Sequence, residues 1–158
     1  MDAYELGWDP STAVELDHRL LKAPHIKLRS ITKGPAGDIV YCIDLRVSKP
    51  NVEFMSLPEL HSLEHFLLEG FRKYMPMNFI SVSPMGCQTG FYLVLLGEGR
   101  AEKISTVYKY ILNDILKAIE VPYANESQCG NYLNHSLVLA QVRAWNILQA
   151  ESRWKEVV

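Results

Sequence analysis

The chain has 158 residues, with 16 Lys and Arg against 18 Asp and Glu and a formal charge of -2. Without a basic surplus to neutralise phosphates, it is expected to bind no nucleic acid. No apolar run reaches the roughly 18 residues of a membrane span, so no membrane insertion is expected. The acidic opening "MDAYELGWDPSTAVELDH" lacks a charged-then-apolar signal pattern, which points to the cytoplasm and to reduced thiols. Cys42, Cys87 and Cys129 are an odd number, which argues against a disulfide framework and leaves sulfur free for chemistry.

In chain order, "APHIKLRSITKG" (23–34) alternates enough to read as a strand. The turn "GPAGD" and the apolar, β-branched "IVYCIDLRV" (39–47) then make the returning strand. Ser56 stands as an N-cap with Pro58 in the first helical turn. Leu60, Leu63, Leu67 and Phe71 follow at helical spacing, so a helix is predicted over 57–75 with that stripe in the core. "NFISVSP" (78–84) reads as a strand, "MGCQTG" as a tight connection, and "FYLVLLGE" (91–98) as a central strand. An amphipathic helix is predicted over 100–119, a polar loop over 122–135 and a final helix over 136–154. Together these predict an α+β fold in a single domain, residues 1–158, with an antiparallel sheet and helices packed on one face.

The stretch that carries chemistry is "HSLEH", 61–65. On a helix, residues four apart share a face about 6 Å apart, so His61 and His65 suit one metal ion. Glu64, one residue before the second histidine, is placed to move protons. A third protein ligand is needed, and Cys87, Cys129, His135 and Glu126 are the candidates. Cys42, inside a strand, fits a small buried hydrophobe. Cys87, between glycines in a turn, does not. Spacing alone does not choose between Cys87 and Cys129. His135 reads as structural, His18 as a local cap, and Arg46 as a possible salt-bridge partner.

Two enzymatic readings of the pair compete. H-x-x-E-H marks inverted zinc proteases, with Glu126 tried as the distant acidic ligand. The other reading is a metal-dependent lyase or isomerase, in which an ion polarises a substrate oxygen while Glu64 and a thiol shuttle protons. A metal-binding protein without catalysis is the third possibility.

"HSLEH", "SPMGCQTGFYL" and "CGNY", with "LDHRLLKAP" and "DLRV" before them, occur in the order and spacing of the S-ribosylhomocysteine lyases, the LuxS family. The resemblance runs from about residue 14 to 150. It implies that His61, His65 and Cys129 hold the metal, physiologically Fe(II), with zinc or cobalt as substitutes. It implies Glu64 and Cys87 as the acid/base pair, and His18 and Arg46 as substrate contacts. It implies a homodimer with both active sites at the subunit interface. The substrate would be S-ribosylhomocysteine, cleaved to homocysteine and the autoinducer-2 precursor 4,5-dihydroxypentane-2,3-dione. Two positions depart from the family pattern: Ser81 stands where an acidic residue is common, and Ala13 where serine is common. Both bear on substrate contacts.

Overall fold

The apolar, alternating stretches form one four-stranded antiparallel sheet in the computed structural model, which describes residues 2–158. The strands are β1 (His25–Lys33), β2 (Ile39–Arg46), β3 (Phe79–Pro84) and β4 (Gly90–Leu96), in the order β1-β2-β4-β3. β4 is therefore interior, as its nearly unbroken apolar sequence leads one to expect. Pairing sets Ile43 opposite Leu93 and Leu45 opposite Phe91, and all four are sealed in the core. Because side chains alternate along a strand, Cys42, Asp44 and Arg46 point to the other face, with His25, Lys27, Tyr92 and Val94 beside them in register. Three helices cover the inner face: α1 (Leu57–Tyr74), α2 (Ala101–Lys117) and α3 (Leu137–Gln149). The α+β architecture read from the sequence is the one observed.

α1 starts where its caps dictate. Ser56 is the N-cap, its backbone N–H donates to the Glu59 carboxylate at 3.4 Å, and Pro58 occupies the first turn. Leu60, Leu63, Phe66, Leu67 and Phe71 are all buried. Gly70 faces α2 so closely that an added Cβ would collide with Ile111, which brings the two helix backbones together.

The last helix is shorter than its apolar pattern predicts. α3 ends at Gln149, and a 3-10 turn, Glu151–Arg153, replaces its expected final stretch to Trp154. Burial of Trp154 is the reason. Its indole N–H donates back to Ile147 O at 2.9 Å and its ring packs 5.3 Å from Tyr108, a position the continuing helix would not reach. The Trp154 carbonyl then accepts the Ile26 N–H at 2.7 Å, tying the C-terminal segment to β1.

Candidate metal centre and activated cysteine

α1 sets His61 and His65 one turn apart, with ring centroids 4.7 Å from each other and planes at 90°. The loop between α2 and α3 folds over them and delivers Cys129 and His135. The ligand atoms of His61, His65, Cys129 and His135 all lie within 4.8 Å of one another. Cys129 Sγ stands 3.5 Å from His61 Nε2 and 3.6 Å from His135 Nε2.

The hydrogen bonds around the cluster prepare it for a cation. His61 Nδ1 lies 3.0 Å from Asn134 O, and His65 Nδ1 lies 2.7 Å from Pro122 O. A carbonyl only accepts, so each Nδ1 carries the hydrogen and each Nε2 presents a lone pair inward. This is the arrangement by which carbonyl partners orient metal-binding histidines. Borderline imidazole and sulfur donors at this spacing suit Fe(II), Zn(II) or Co(II) and not a hard oxygen-seeking ion such as calcium. The residues therefore fit a metal ion. Burial, and then repulsion from His61 and His65 in their protonated forms, push the His135 imidazole down to about 4.

Glu64 lies between the two histidines on α1, half-buried, and its carboxylate takes no hydrogen bond among the described residues. Glu126 is exposed, accepts a hydrogen bond from Tyr132 at 3.2 Å, and stands outside the donor cluster. The acidic ligand of an inverted zinc protease is thus not supplied by Glu126.

The second assembly belongs to the sheet. Cys87 is exposed in the β3–β4 turn, whose tightness places Gln88 at φ 60°. Its Sγ lies 3.0 Å from Thr89 Oγ1, and Arg46 Nη1 donates to that same hydroxyl oxygen at 2.6 Å and stands 4.0 Å from the sulfur. Arg46 is itself held by Asp44, Nη2 to Oδ2 at 2.6 Å, and both are buried. Burial alone would raise the Cys87 thiol. Hydrogen bonds to the Thr89 side chain and backbone, with the Arg46 charge, outweigh it and bring the thiol below its ordinary value. Cys42 shows the opposite outcome, since burial pushes its thiol up.

Asp44 follows the same logic. Burial opposes its ionisation, but His25, whose Nε2 stands 3.8 Å from Oδ1, and the charge of Arg46 prevail and hold its carboxyl below the usual range. His18 is exposed and lines a cavity of about 460 Å³ with Glu15, Lys27, Arg29, Asp44 and Arg46. None of the four donors of the metal centre lines that cavity. Ser81 sits on β3 opposite Val94, on the outer face of the sheet, and Ala13 packs partly buried against the core.

The structure brings together His61 and His65, which helical spacing paired, and Cys129, which the family resemblance paired with them, and it adds His135, a candidate ligand that the sequence analysis read as structural. The one signal for His135 was its position in the same polar loop as Cys129, six residues on.

An imidazole-and-sulfur donor cluster, with a cysteine tuned toward its thiolate on the neighbouring sheet, is the equipment of a metal-assisted proton-transfer enzyme. Comparison with known proteins makes this specific: the family described as S-ribosylhomocysteinase (LuxS) matches residues 12–158, and the chain belongs to that family. S-ribosylhomocysteine lyases of Halobacillus halophilus and Oceanobacillus iheyensis are 46% and 43% identical to it over 142 residues. These alignments cover 90% of this chain and 93% and 92% of the two relatives. One from Helicobacter pylori strain J99 is 43% identical over 143 residues, 90% of this chain and 93% of the relative.

Proposed function

We propose that this chain is a carbon–sulfur lyase that cleaves S-ribosylhomocysteine to homocysteine and 4,5-dihydroxypentane-2,3-dione. The observation that carries the reading is the convergence of His61, His65 and Cys129, in a chain of this family, at a point where each histidine turns Nε2 inward. The substrate's C–S bond is not adjacent to its carbonyl. The carbonyl must move from C1 to C2 to C3 of the ribose before β-elimination expels homocysteine. Every stage takes a proton from carbon and returns one.

Fe(II), with zinc or cobalt as substitutes, would be held by His61, His65 and Cys129 and would stabilise the negative charge that develops on the sugar oxygens. Cys87 is suited to take protons from carbon, because hydrogen bonds to Thr89 and the Arg46 charge lower its thiol below the ordinary value. Glu64 is suited to move protons between oxygens, with a carboxylate unengaged beside the two histidines. Arg46 serves twice: it is close to Cys87 and it lines the cavity with His18, where a polar sugar would be gripped.

The layout also supports a homodimer with shared active sites. The metal donors lie on α1 and the loop above it, whereas Asp44 and Arg46 point from the opposite face of the sheet and their cavity contains none of those donors. A second copy would bring one chain's donors to the other's Cys87 and Arg46. Three free cysteines, one of them reactive, suit the reducing cytoplasm. The test is anaerobic purification, metal analysis and a thiol-release assay with S-ribosylhomocysteine. Stoichiometric divalent metal with release of homocysteine supports the reading, and bound metal without release overturns it.

A further inference from the structure

We propose that Lys27 is a positioning residue: its ammonium pins the loop that carries His18 over the cavity, and so sets how tightly the sugar is gripped. The proposal rests on the reading of that cavity as the substrate's and concerns what holds its second wall. One wall is the outer face of the sheet, with Lys27, Asp44 and Arg46. The other is a stretch without helix or strand, contributing Glu15, Leu16, His18 and Leu21. Such a stretch has no ladder to fix it, so its backbone groups need other partners. Upstream it is moored by the buried Trp8, whose indole N–H donates to Gly99 O at 2.7 Å. Downstream, Leu21 is buried and the Lys22 N–H donates to Val157 O at 2.9 Å. In between, the remaining hydrogen bonds are local: Ala13 N–H to Pro10 O, Leu20 N–H to Asp17 O, and Arg19 to the Asp17 carboxylate.

Lys27 supplies the exception. Its Nζ donates to Val14 O at 2.7 Å and to Thr12 O at 3.1 Å. Among the described residues, the bond to Val14 is the one hydrogen bond that ties residues 13–20 to the sheet. The arrangement is not an incidental contact, because it keeps a lysine only 4% exposed, and lysine is almost never that buried unless paired. Burial pulls its ammonium below the ordinary value, and the charge of Asp44, its partner in register, opposes that pull. Asp44 is hydrogen-bonded to Arg46, and the acceptors for the ammonium are the two loop carbonyls instead. Bonds from a charged donor are about twice as strong as neutral ones. With them the loop is ordered before a ligand arrives. Without them the substrate would have to order it, and that loss falls on binding. The proton-transfer groups stand on other segments, Cys87 between β3 and β4 and Glu64 on α1, so the chemical step is left alone.

The experiment compares the unmutated chain with Lys27→Met, which keeps an apolar stem and loses the donors, and Lys27→Arg, which keeps a charged donor. Thiol release from S-ribosylhomocysteine gives KM and kcat. Trypsin cleavage of the ligand-free proteins, followed by mass spectrometry, reads the loop at the Arg19–Leu20 bond, with cleavage after Lys33 at the end of β1 as the reference. Lys27→Met is expected to raise KM about 10-fold with kcat within about 2-fold and metal content unchanged, and to speed cleavage after Arg19 about 10-fold but not after Lys33. Lys27→Arg recovers most of both. An unchanged KM overturns the proposal, and so does a fall in kcat with KM kept. Unchanged cleavage after Arg19 overturns it as well, because a lysine that only touched substrate would raise KM without loosening the loop. Equal acceleration at both bonds, the mark of general loosening, does the same. Should Lys27→Met fail to fold, Lys27→Gln, whose shorter side chain cannot reach both carbonyls, is held to the same criteria. An unmutated chain that binds metal but releases no thiol removes the lyase reading, and cleavage after Arg19 then decides on the anchor alone.

Discussion

His61 and His65 meet because one helix has a fixed pitch, whereas Arg46 meets Cys87 only because β2 and β4 pair across 41 residues of chain. The first assembly is local and its geometry survives anything that preserves α1. The second depends on sheet register and on a buried ion pair. The difference teaches where each half is vulnerable: the metal side through its ligands and the loop over them, the cysteine side through the charges that support it.

The largest expected effect tests whether the two halves come from different chains. Cys87→Ala should lose thiol release by about 10²- to 10⁴-fold while keeping its metal, the usual loss for a general acid or base. His61→Ala should lose metal and activity together. Mixed after joint unfolding and refolding, two such inactive proteins should regain about a quarter of normal activity, since half the dimers are mixed and each of those has one intact site. No recovery, with mixed dimers shown to form, would place both halves of a site in one chain.

The legibility of the molecule divides along the same line. β1 to β4 and α1 were readable because their periodicity is local, and HSLEH because helical spacing turns five letters into geometry. β4 was read as central from its apolar run, and it is. The end of α3 was not readable, since what stops the helix is the distant burial of Trp154 against Tyr108. His135 was read as structural because its loop has no period from which a direction could be inferred. Only the fold shows it lying on His61. The support that Asp44 gives Arg46 was hidden too, because two charged residues alternating on a strand look the same whether they face solvent or each other.

Next in size is Asp44→Asn. It leaves the Arg46 guanidinium buried without its counter-charge and is expected to cost about 3–5 kcal/mol in urea unfolding. The sign with pH follows from the lowered Asp44 carboxyl. Its contribution is full above the ordinary carboxylate range and disappears as pH falls through the lowered value, so the variant and its parent should converge in strongly acidic buffer. On the helix side, Gly70→Ala drives a methyl group into Ile111 and should destabilise by about 1–3 kcal/mol, with metal stoichiometry unchanged in the folded fraction. The smallest effect is kinetic. Alkylation followed by peptide mapping should label Cys87 well before Cys42, and the Cys87 rate should rise at a lower pH than that of a free thiol, because one thiol is lowered and the other raised. Equal rates at both residues would remove the electrostatic distinction between the two regions.

The carbonyls of Pro122 and Asn134, which accept from His65 and His61, bracket the segment that delivers Cys129. Each histidine is thus a two-ended staple, one nitrogen fastened to that segment and the other turned toward the donor cluster that would hold a cation. Chelation would then slacken residues 122–135 ahead of the sheet, and amide exchange would accelerate there first. In this protein the ion that drives the chemistry would also be the clasp that keeps its own lid shut.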